Sequence, residues 1–594
     1  MIVFYGDNGF QLDLTETLLT FVEENPLFYN YFIRNYTWPF TKKIDDEVSI
    51  KLGLLDVENI ANYTTKYYGK LAIHGNFDQA YLLVTDKKGD VIEGEIYYGR
   101  SSFSLLDKPL KSLPFVVINT NDLRQHAEDI ITKQYPEVGY NFPMVINKKF
   151  SETSKYEKFE GIINNYRDQN FVGNSFETEI IDGTQTAVLY NRNIMVPFPY
   201  LMEILRVAFA SENMIMLGSF VSDPANEKLL VYTDKYLEKF QSGLPDFFQF
   251  TTAASQLWGS GVVTANYSRN YVVSQTGSYK IKILINIPNT IDLDEFKVVY
   301  NQEELYASSS NVIDKLLTLN VQSVNDIGTL QFTMTLKRYT NNSSESIEDI
   351  SAYNSFNFEF SNGQLNIFPN NFSLSEIMPD MSFGAFLNKV KNWLNLEVTF
   401  HKKTVVINYI EPKFLNGPFK KESHLEVKKP HRKFNQDKLY KLITSNDSFY
   451  ISKEGIVSDS DGYRGEDITK IDMGLDFMSI EEFEGVFTVS KEESGADFKL
   501  FLYNGLQNDL PVAASEVFDR DFSLQEIYLK FWKKWLQFRM SSETYKDKFR
   551  VHILEKFDIS KGRYKYNKKH LYKKITKKLV SQEQWEVEIE SDTF

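Results

Sequence analysis

Short runs of Tyr, Phe, Val, Ile and Thr, cut by Gly, Asn and Asp, recur along the 594 residues and dictate a chain built mostly from β-strands joined by turns. β-branched and aromatic side chains suit a pleated, half-buried surface, and the turn residues tolerate the backbone that tight connections need. Residues 80–100 read as a hairpin turning at Asp86-Lys87-Lys88-Gly89. Gly277–Ile287, Phe296–Tyr300 and Thr329–Tyr339 continue the pattern through a block that holds no helix of any length.

Helical periodicity breaks this rhythm at four places. One helix is expected near Asp122–Thr132. A second, Tyr200–Glu212, puts Leu201, Ile204, Leu205, Ala208 and Phe209 on one face, behind Pro197 and Pro199. A third, Ser382–Leu394, does the same with Phe383, Phe386, Leu387, Val390 and Leu394. Ser523-Leu524-Gln525-Glu526 is a capping box opening a fourth helix to about Phe538, with Ile527, Phe531, Lys534, Trp535 and Phe538 along it. The expected class is mainly β (α+β): several small β-barrel or β-sandwich domains joined by a few amphipathic helices. Roughly 150 residues per domain gives about four domains. The patterns divide the chain into a first β domain (1–105), a mixed α/β domain (106–195), a helix-containing connector (196–249), a β-sandwich insertion (250–370), a helix with a strand pair (371–412), and a C-terminal β domain with helix 524–538 (413–594). No fixed-period repeat is visible.

Composition excludes several chemistries. Apolar residues make up 42% and charged residues 25%, which is globular rather than disordered. There is no cysteine, hence no disulfide scaffold, thiolate zinc site, Fe–S cluster, cysteine nucleophile or lipidated-cysteine anchor. The start, Met-Ile-Val-Phe-Tyr-Gly, has neither the basic start nor the apolar run of a signal peptide, and no apolar stretch approaches 18 residues. Folding without export by the usual route, and without a membrane anchor, is therefore expected. The net charge of −14 argues against wrapping nucleic acid but allows a smooth acidic channel through which it passes.

Charge is uneven. Residues 531–594 carry 16 Lys+Arg against 9 Asp+Glu, which leaves −21 on the remainder. The basic cluster is Lys561, Arg563, Lys565, Lys568, Lys569, Lys573, Lys574, Lys577 and Lys578. It reads either as a solvated β surface or as a docking face for an acidic neighbour, such as another copy of the chain. Tyr564, Tyr566 and Tyr572 interleave with it. That pattern suits nucleic-acid stacking, and simple strand alternation also produces it.

Motifs of catalysis are missing. No phosphate-binding glycine loop, dinucleotide fingerprint, zincin motif or nucleophile elbow occurs. The seven histidines (His74, His126, His401, His424, His431, His552 and His570) include no pair at metal-ligand spacing. Asp459-Ser460-Asp461-Gly462 hints at a calcium loop, but Val457 and Ile468 stand where acidic ligands are needed. With 80 acidic residues, carboxylate pairs at glycosidase separation arise by chance. The expectation is a non-enzyme without cofactor or metal.

Three segments carry a resemblance. The first is Tyr36-Thr37-Trp38-Pro39-Phe40-Thr41, followed by Gly53-Leu54-Leu55-Asp56 and a strand pair ending at Gly99. The second is Pro197-Phe198-Pro199-Tyr200-Leu201, leading into a helix. The third is Met378-Pro379-Asp380-Met381-Ser382-Phe383-Gly384-Ala385-Phe386-Leu387, then Leu394-Asn395-Leu396 and a strand pair near Val398–Ile407. In this order they resemble the baseplate-hub or tail-tip proteins of tailed bacteriophages, especially those infecting Bacteroidetes, a family that includes hub components of contractile injection systems. The segment Phe549–Glu590 is similar to the family's final module. These residues also have a purely architectural reading: Pro379 stops one segment, Asp380 or Ser382 caps the next helix, and the apolar face packs on the following strands.

The resemblance implies a structural protein of the virion tail tip, assembled in the host cytoplasm. It implies an oligomeric ring, usually a trimer, in which two small β domains per chain adapt six-fold to three-fold symmetry. The implied partners are further copies of the chain, tail-tube or distal-tail proteins, the tape-measure protein and tail fibre proteins, with DNA passing non-specifically through the lumen. The 250–370 block would be an external insertion for fibre attachment or glycan contact. A glycan-binding protein using Trp258, Tyr267 and Tyr271 is the alternative, since aromatic faces suit sugar rings. A glycan-degrading enzyme is disfavoured by the missing signal peptide. The lack of cysteine fits a particle that is assembled in a reducing cytoplasm and works outside it, with 88 aromatics supplying buried apolar area instead of cross-links.

Overall fold

The structure, a computed structural model, describes the chain except residues 29–31, 33–34, 54–63, 100–103, 151–155, 157, 182–183, 242–246, 252–253, 259–260, 274–276, 322–327, 341–346, 348, 361–364, 402, 411–418, 435–437, 446, 459–467, 492–496, 556, 582 and 594. It is mostly strand (49%) with 17% helix, divided among many small sheets. The loop Asp459–Gly462 lies outside the described residues. Among the described residues, no helix is long and apolar enough to cross a membrane.

The largest sheet has 14 strands among the described residues and draws on both ends of the chain. The first end gives β1 (Ile2–Gly6), β2 (Gln11–Asp13), β3 (Thr20–Glu24), β4 (Asn35–Thr37), β5 (Phe40–Lys43), β6 (Lys66–Ile73), β7 (Asn76–Lys88) and β8 (Val91–Tyr98). The second gives β9 (Lys420–Lys421), β10 (His431–Phe434), β11 (Glu543–His552), β12 (Arg563–Lys565), β13 (Lys568–Ser581) and β14 (Gln584–Thr593). The main path runs β2-β1-β6-β7-β8-β4-β3-β13-β14-β11-β10, with β5 on β8 and β9 reaching β13 through β12.

The seam between the two ends is β3 against β13, antiparallel, with Thr20 opposite Lys578 and Glu24 opposite Lys574. One apolar core spans it. Phe21 meets Tyr98 and Trp585 edge-on at 5.7 Å each, and Ile2, Phe4, Leu71, Leu82 and Ile96 share the cluster with Ile575, Val587 and Ile589. The hairpin expected at 80–100 is β7–β8, but it turns at Gly89-Asp90 with Lys88 opposite Val91. Gly89 supplies the positive φ of 58° that the tight turn requires, and an irregularity between Val84 and Asp86 absorbs the shift in register.

Four helical segments, Leu123–Ile130, Leu201–Ala210, Phe383–Leu394 and 524–541, pack together in the largest core. Asp122 caps Leu123–Ile130 by accepting from Arg124 N, Ser382 caps Phe383–Leu394 from Ala385 N, and Ser523 caps Leu524–Ile527 from Glu526 N. Leu201, Ile204, Leu205, Ala208 and Phe209 of Leu201–Ala210 are all buried. The last helix runs past Phe538. A π-helical turn, Tyr528–Trp532, joins Leu524–Ile527 to Lys533–Ser541, and its extra residue changes which side chains face inward. Asn395 ends Phe383–Leu394 in the left-handed conformation (φ 49°), which turns the chain into Leu396–Phe400 and its partner Thr404–Tyr409.

A separate core lies between two sheets within the 250–370 block. One has four strands, including Gly277–Asn286 and Val312–Val321; the other has five, including Val262–Val273 and Gly328–Tyr339.

Candidate interface at the joined termini

The basic cluster is distributed by strand alternation around β12, β13 and their neighbours. Arg563 and Lys565 face inward on β12 and are fully buried. Lys565 Nζ lies 2.5 Å from Asp547 Oδ2 on β11, and the Tyr566 hydroxyl donates to Asp547 Oδ1 at 2.9 Å. Arg563 Nη2 donates to the Asp558 carbonyl at 2.5 Å. Its Nε is 3.3 Å from Glu422 Oε1, an ion contact without hydrogen-bond alignment, and the Tyr572 hydroxyl donates to Glu422 Oε2 at 2.5 Å.

His570 completes this polar interior. Its Nε2 is 3.1 Å from the Lys565 carbonyl and its Nδ1 is 3.0 Å from Ser591 Oγ. A carbonyl only accepts, so Nε2 carries the proton and Nδ1 accepts from the serine hydroxyl. Burial, helped by the Lys565 ammonium, pushes the imidazole down to about 4, so the ring is neutral.

The outward lysines mostly have acidic partners within the chain. Lys577 Nζ is 2.5 Å from Glu23 and Lys574 Nζ is 3.4 Å from Glu24, both across the β3–β13 seam. Lys568 pairs with Glu543 (2.9 Å), Lys573 with Glu590 (3.4 Å) and Lys561 with Asp558 (3.2 Å). Lys569 Nζ sits 4.8 Å over the Phe419 ring, and Lys578 lies opposite Glu586. The nine cations therefore do not share one outward face. Two are interior and five are paired, two of them with Glu23 and Glu24 across the seam and three with Glu543, Glu590 and Asp558 of the C-terminal part. Of the interleaved tyrosines, Tyr572 is buried, Tyr566 is turned onto Asp547 and Tyr564 is exposed, as strand alternation produces.

Two of the three aromatics suggested for glycan contact are core residues. On Val262–Val273, Val263, Ala265, Tyr267 and Tyr271 point into the sandwich, and both tyrosines are buried. Tyr267 packs on Phe250 with ring centroids 5.4 Å apart, and Tyr271 on Phe248 at 5.3 Å. The Trp258 side chain lies outside the described residues. Among the described residues no group of three His, Asp or Glu side chains is arranged to hold a metal ion. His424 lies 4.0 Å from Glu555, and His431 is exposed on β10.

Sequence reasoning missed a tyrosine stripe on the outer face of the same large sheet. Tyr68, Tyr81, Tyr97 and Tyr36 stand on the adjacent strands β6, β7, β8 and β4. Tyr81 and Tyr97 stack at 4.9 Å, while Tyr68–Tyr81 and Tyr36–Tyr97 are 6.1 and 5.9 Å apart. Lys66 Nζ lies 4.3 Å over the Tyr81 ring, and the Tyr68 hydroxyl donates to Asp107. Burial pushes the Tyr81 phenol up to about 12, so it stays neutral. The rings are half-buried and locked by stacking, a stiff amphipathic surface of the kind enriched where proteins meet. Period-two placement of Tyr36, Tyr68, Tyr81 and Tyr97 away from the inward apolar set was the signal available in the sequence.

No family model matches this sequence, and no curated protein matches it. Among solved structures it is similar over 62% of its length to an infectious bursal disease virus VP2 subviral particle, covering 72% of that chain at 11% identity with a TM-score of 0.10. A second structure of infectious bursal disease virus, Gt strain, covers 61% of this chain and 75% of its own, at 10% identity and a TM-score of 0.09. Scores this low place no constraint on fold or function.

Proposed function

We propose that this chain is a structural protein of a phage tail tip or baseplate hub, assembling into a ring, most simply a trimer, that closes the tail tube and channels the tape-measure protein and DNA. The observation that carries this reading is the joining of the termini. A meander from the first 98 residues and another from the last 52 lie edge to edge in one sheet, sealed by Thr20–Glu24 against Lys574–Lys578. Two small β modules held side by side in each chain are what a three-fold ring needs to present six similar faces to a six-fold tube. The tyrosine stripe on one of these modules supplies contact chemistry for a neighbour. The 250–370 block has a core of its own between two sheets, which suits a peripheral attachment role. The testing experiment is gold labelling of particles released by producing cells with an antibody to this chain. Label at one end of the tail supports the reading. Label on the capsid, or none on particles, overturns it.

A further inference from the structure

The segment following β3 leaves the large sheet and inserts Leu27 and Phe28 into the helical body. Where it enters, a cavity of about 270 Å³ remains. Its floor is apolar: Leu27, Phe28, Leu396, Ile410, Trp532 and Trp535. Its polar lining among the described residues is cationic or neutral: Lys391, Lys470 and Arg539, with Asn392, Asn395 and Thr469. In a chain of net charge −14, Arg539 and Lys470 beside one apolar recess, with no Asp or Glu among its described lining residues, depart from the surroundings.

Arg539 is the central group. It is half-buried, and the Phe28 and Tyr440 rings lie 5.5 and 5.7 Å from its guanidinium carbon. It makes no ion pair with a described residue. Lys470 is exposed at the rim, and Lys391 is buried in the wall. Most basic side chains of the joined termini have carboxylate partners, as Lys565, Lys574 and Lys577 do; Arg539 keeps its planar donor fork for something else. A guanidinium held between aromatic rings at the mouth of an apolar recess recognises an oxyanion carried on a flat apolar body.

We infer that this cavity binds a small organic anion: a planar apolar body seated against Trp532, Trp535 and Phe28, with a carboxylate or phosphate on Arg539 and Lys470. The inference does not depend on the ring reading, because it rests on the cavity within one chain.

The test is calorimetric titration of the full chain with indole-3-acetate, phenyl phosphate, inorganic phosphate and neutral indole-3-acetamide, with tryptophan emission followed in parallel. Saturable binding of indole-3-acetate or phenyl phosphate is expected, with the two arms telling a carboxylate site from a phosphate site. The neutral amide and inorganic phosphate should each bind about tenfold or more weakly, because each lacks one half of the chemistry. Arg539→Gln should weaken the organic anion by about tenfold or more, and Lys470→Gln by a smaller factor that vanishes at high salt. Lys470 is exposed at the rim, so its variant should fold like the parent and decides the matter if Arg539→Gln does not fold. Equal binding of the acid and its amide, no saturable binding of either organic anion at about 10 mM, or parent-like affinity in Lys470→Gln at low salt would overturn the inference.

Discussion

The Lys565–Asp547 pair lies in the interior of the C-terminal module, so replacing Lys565 with Met should open that module selectively. Both side chains are essentially inaccessible and 2.5 Å apart. Methionine keeps the length of the lysine stem but leaves the Asp547 carboxylate buried, with the Tyr566 hydroxyl as its remaining hydrogen-bond donor among the described residues. Breaking a buried pair by removing one partner costs about 3–5 kcal/mol, because the surviving charge has lost both water and its counter-ion. The double variant Lys565→Met with Asp547→Asn removes that charge and keeps an oxygen for Tyr566 to donate to. It should return to within about 1–2 kcal/mol of the parent. The chain has several cores and is not one two-state unit, so the suitable assay is hydrogen exchange followed peptide by peptide. In Lys565→Met, peptides from 543–552 and 563–593 should exchange roughly a hundred- to several-thousand-fold faster, while sandwich peptides are unchanged. Parent-like exchange in the single variant, or a double variant no better protected than the single, would refute the assignment of this pair as an energetically coupled unit.

Four further outcomes are expected. His570 is held neutral at about 4 when folded, against 6.5 for the ordinary imidazole, so between those values the unfolded chain binds more protons. The module should be fully stable above about pH 6.5 and lose about 3 kcal/mol as the pH falls to 4; a flat profile in His570→Gln compared with the parent checks the source by pH-dependent exchange. Glu23→Lys sets like charges across the seam from Lys577 and should weaken it by about 1–2 kcal/mol, read as faster exchange in 20–24 and 574–578 together. Gly69→Ala would place a Cβ 2.0 Å from the Tyr5 carbonyl oxygen and should destabilise the β1–β6 pairing by about 1–3 kcal/mol or more, read as a lower thermal transition for the first module. Asn164→Ala removes donors to the Pro143 and Val196 carbonyls and the acceptor for Val196 N at a left-handed backbone position (φ 52°), and should cost about 3 kcal/mol by the same exchange assay on 140–200.

The contrast between what the sequence revealed and what it hid follows the range of the interactions. Helix positions were legible because caps and period are local: Asp122, Ser382 and Ser523 each stand one residue before their helix and accept its first free amides. The β class was legible from turn residues and alternation. The seam was not, because β3 and β13 are separated by almost the whole chain and nothing in Thr20–Glu24 names its partner. Alternation also shows that Arg563 and Lys565 share a face without saying which face is inside. The usual preference for charge outside selects the wrong one here, because Glu422 and Asp547 turn that interior polar. The same ambiguity turned Tyr267 and Tyr271 from core residues into an apparent sugar platform. Nothing in the local sequence marks the π turn at Tyr528–Trp532, where Trp532 Nε1 donates to the Trp393 carbonyl and Phe531 stacks on Tyr409.

Mass photometry of the purified full chain shows whether identical copies assemble into the proposed ring. The monomer mass is 69.2 kDa. A dominant species at three times that mass, persisting on dilution, is the predicted result; a single peak at the monomer mass across the accessible concentrations would contradict it.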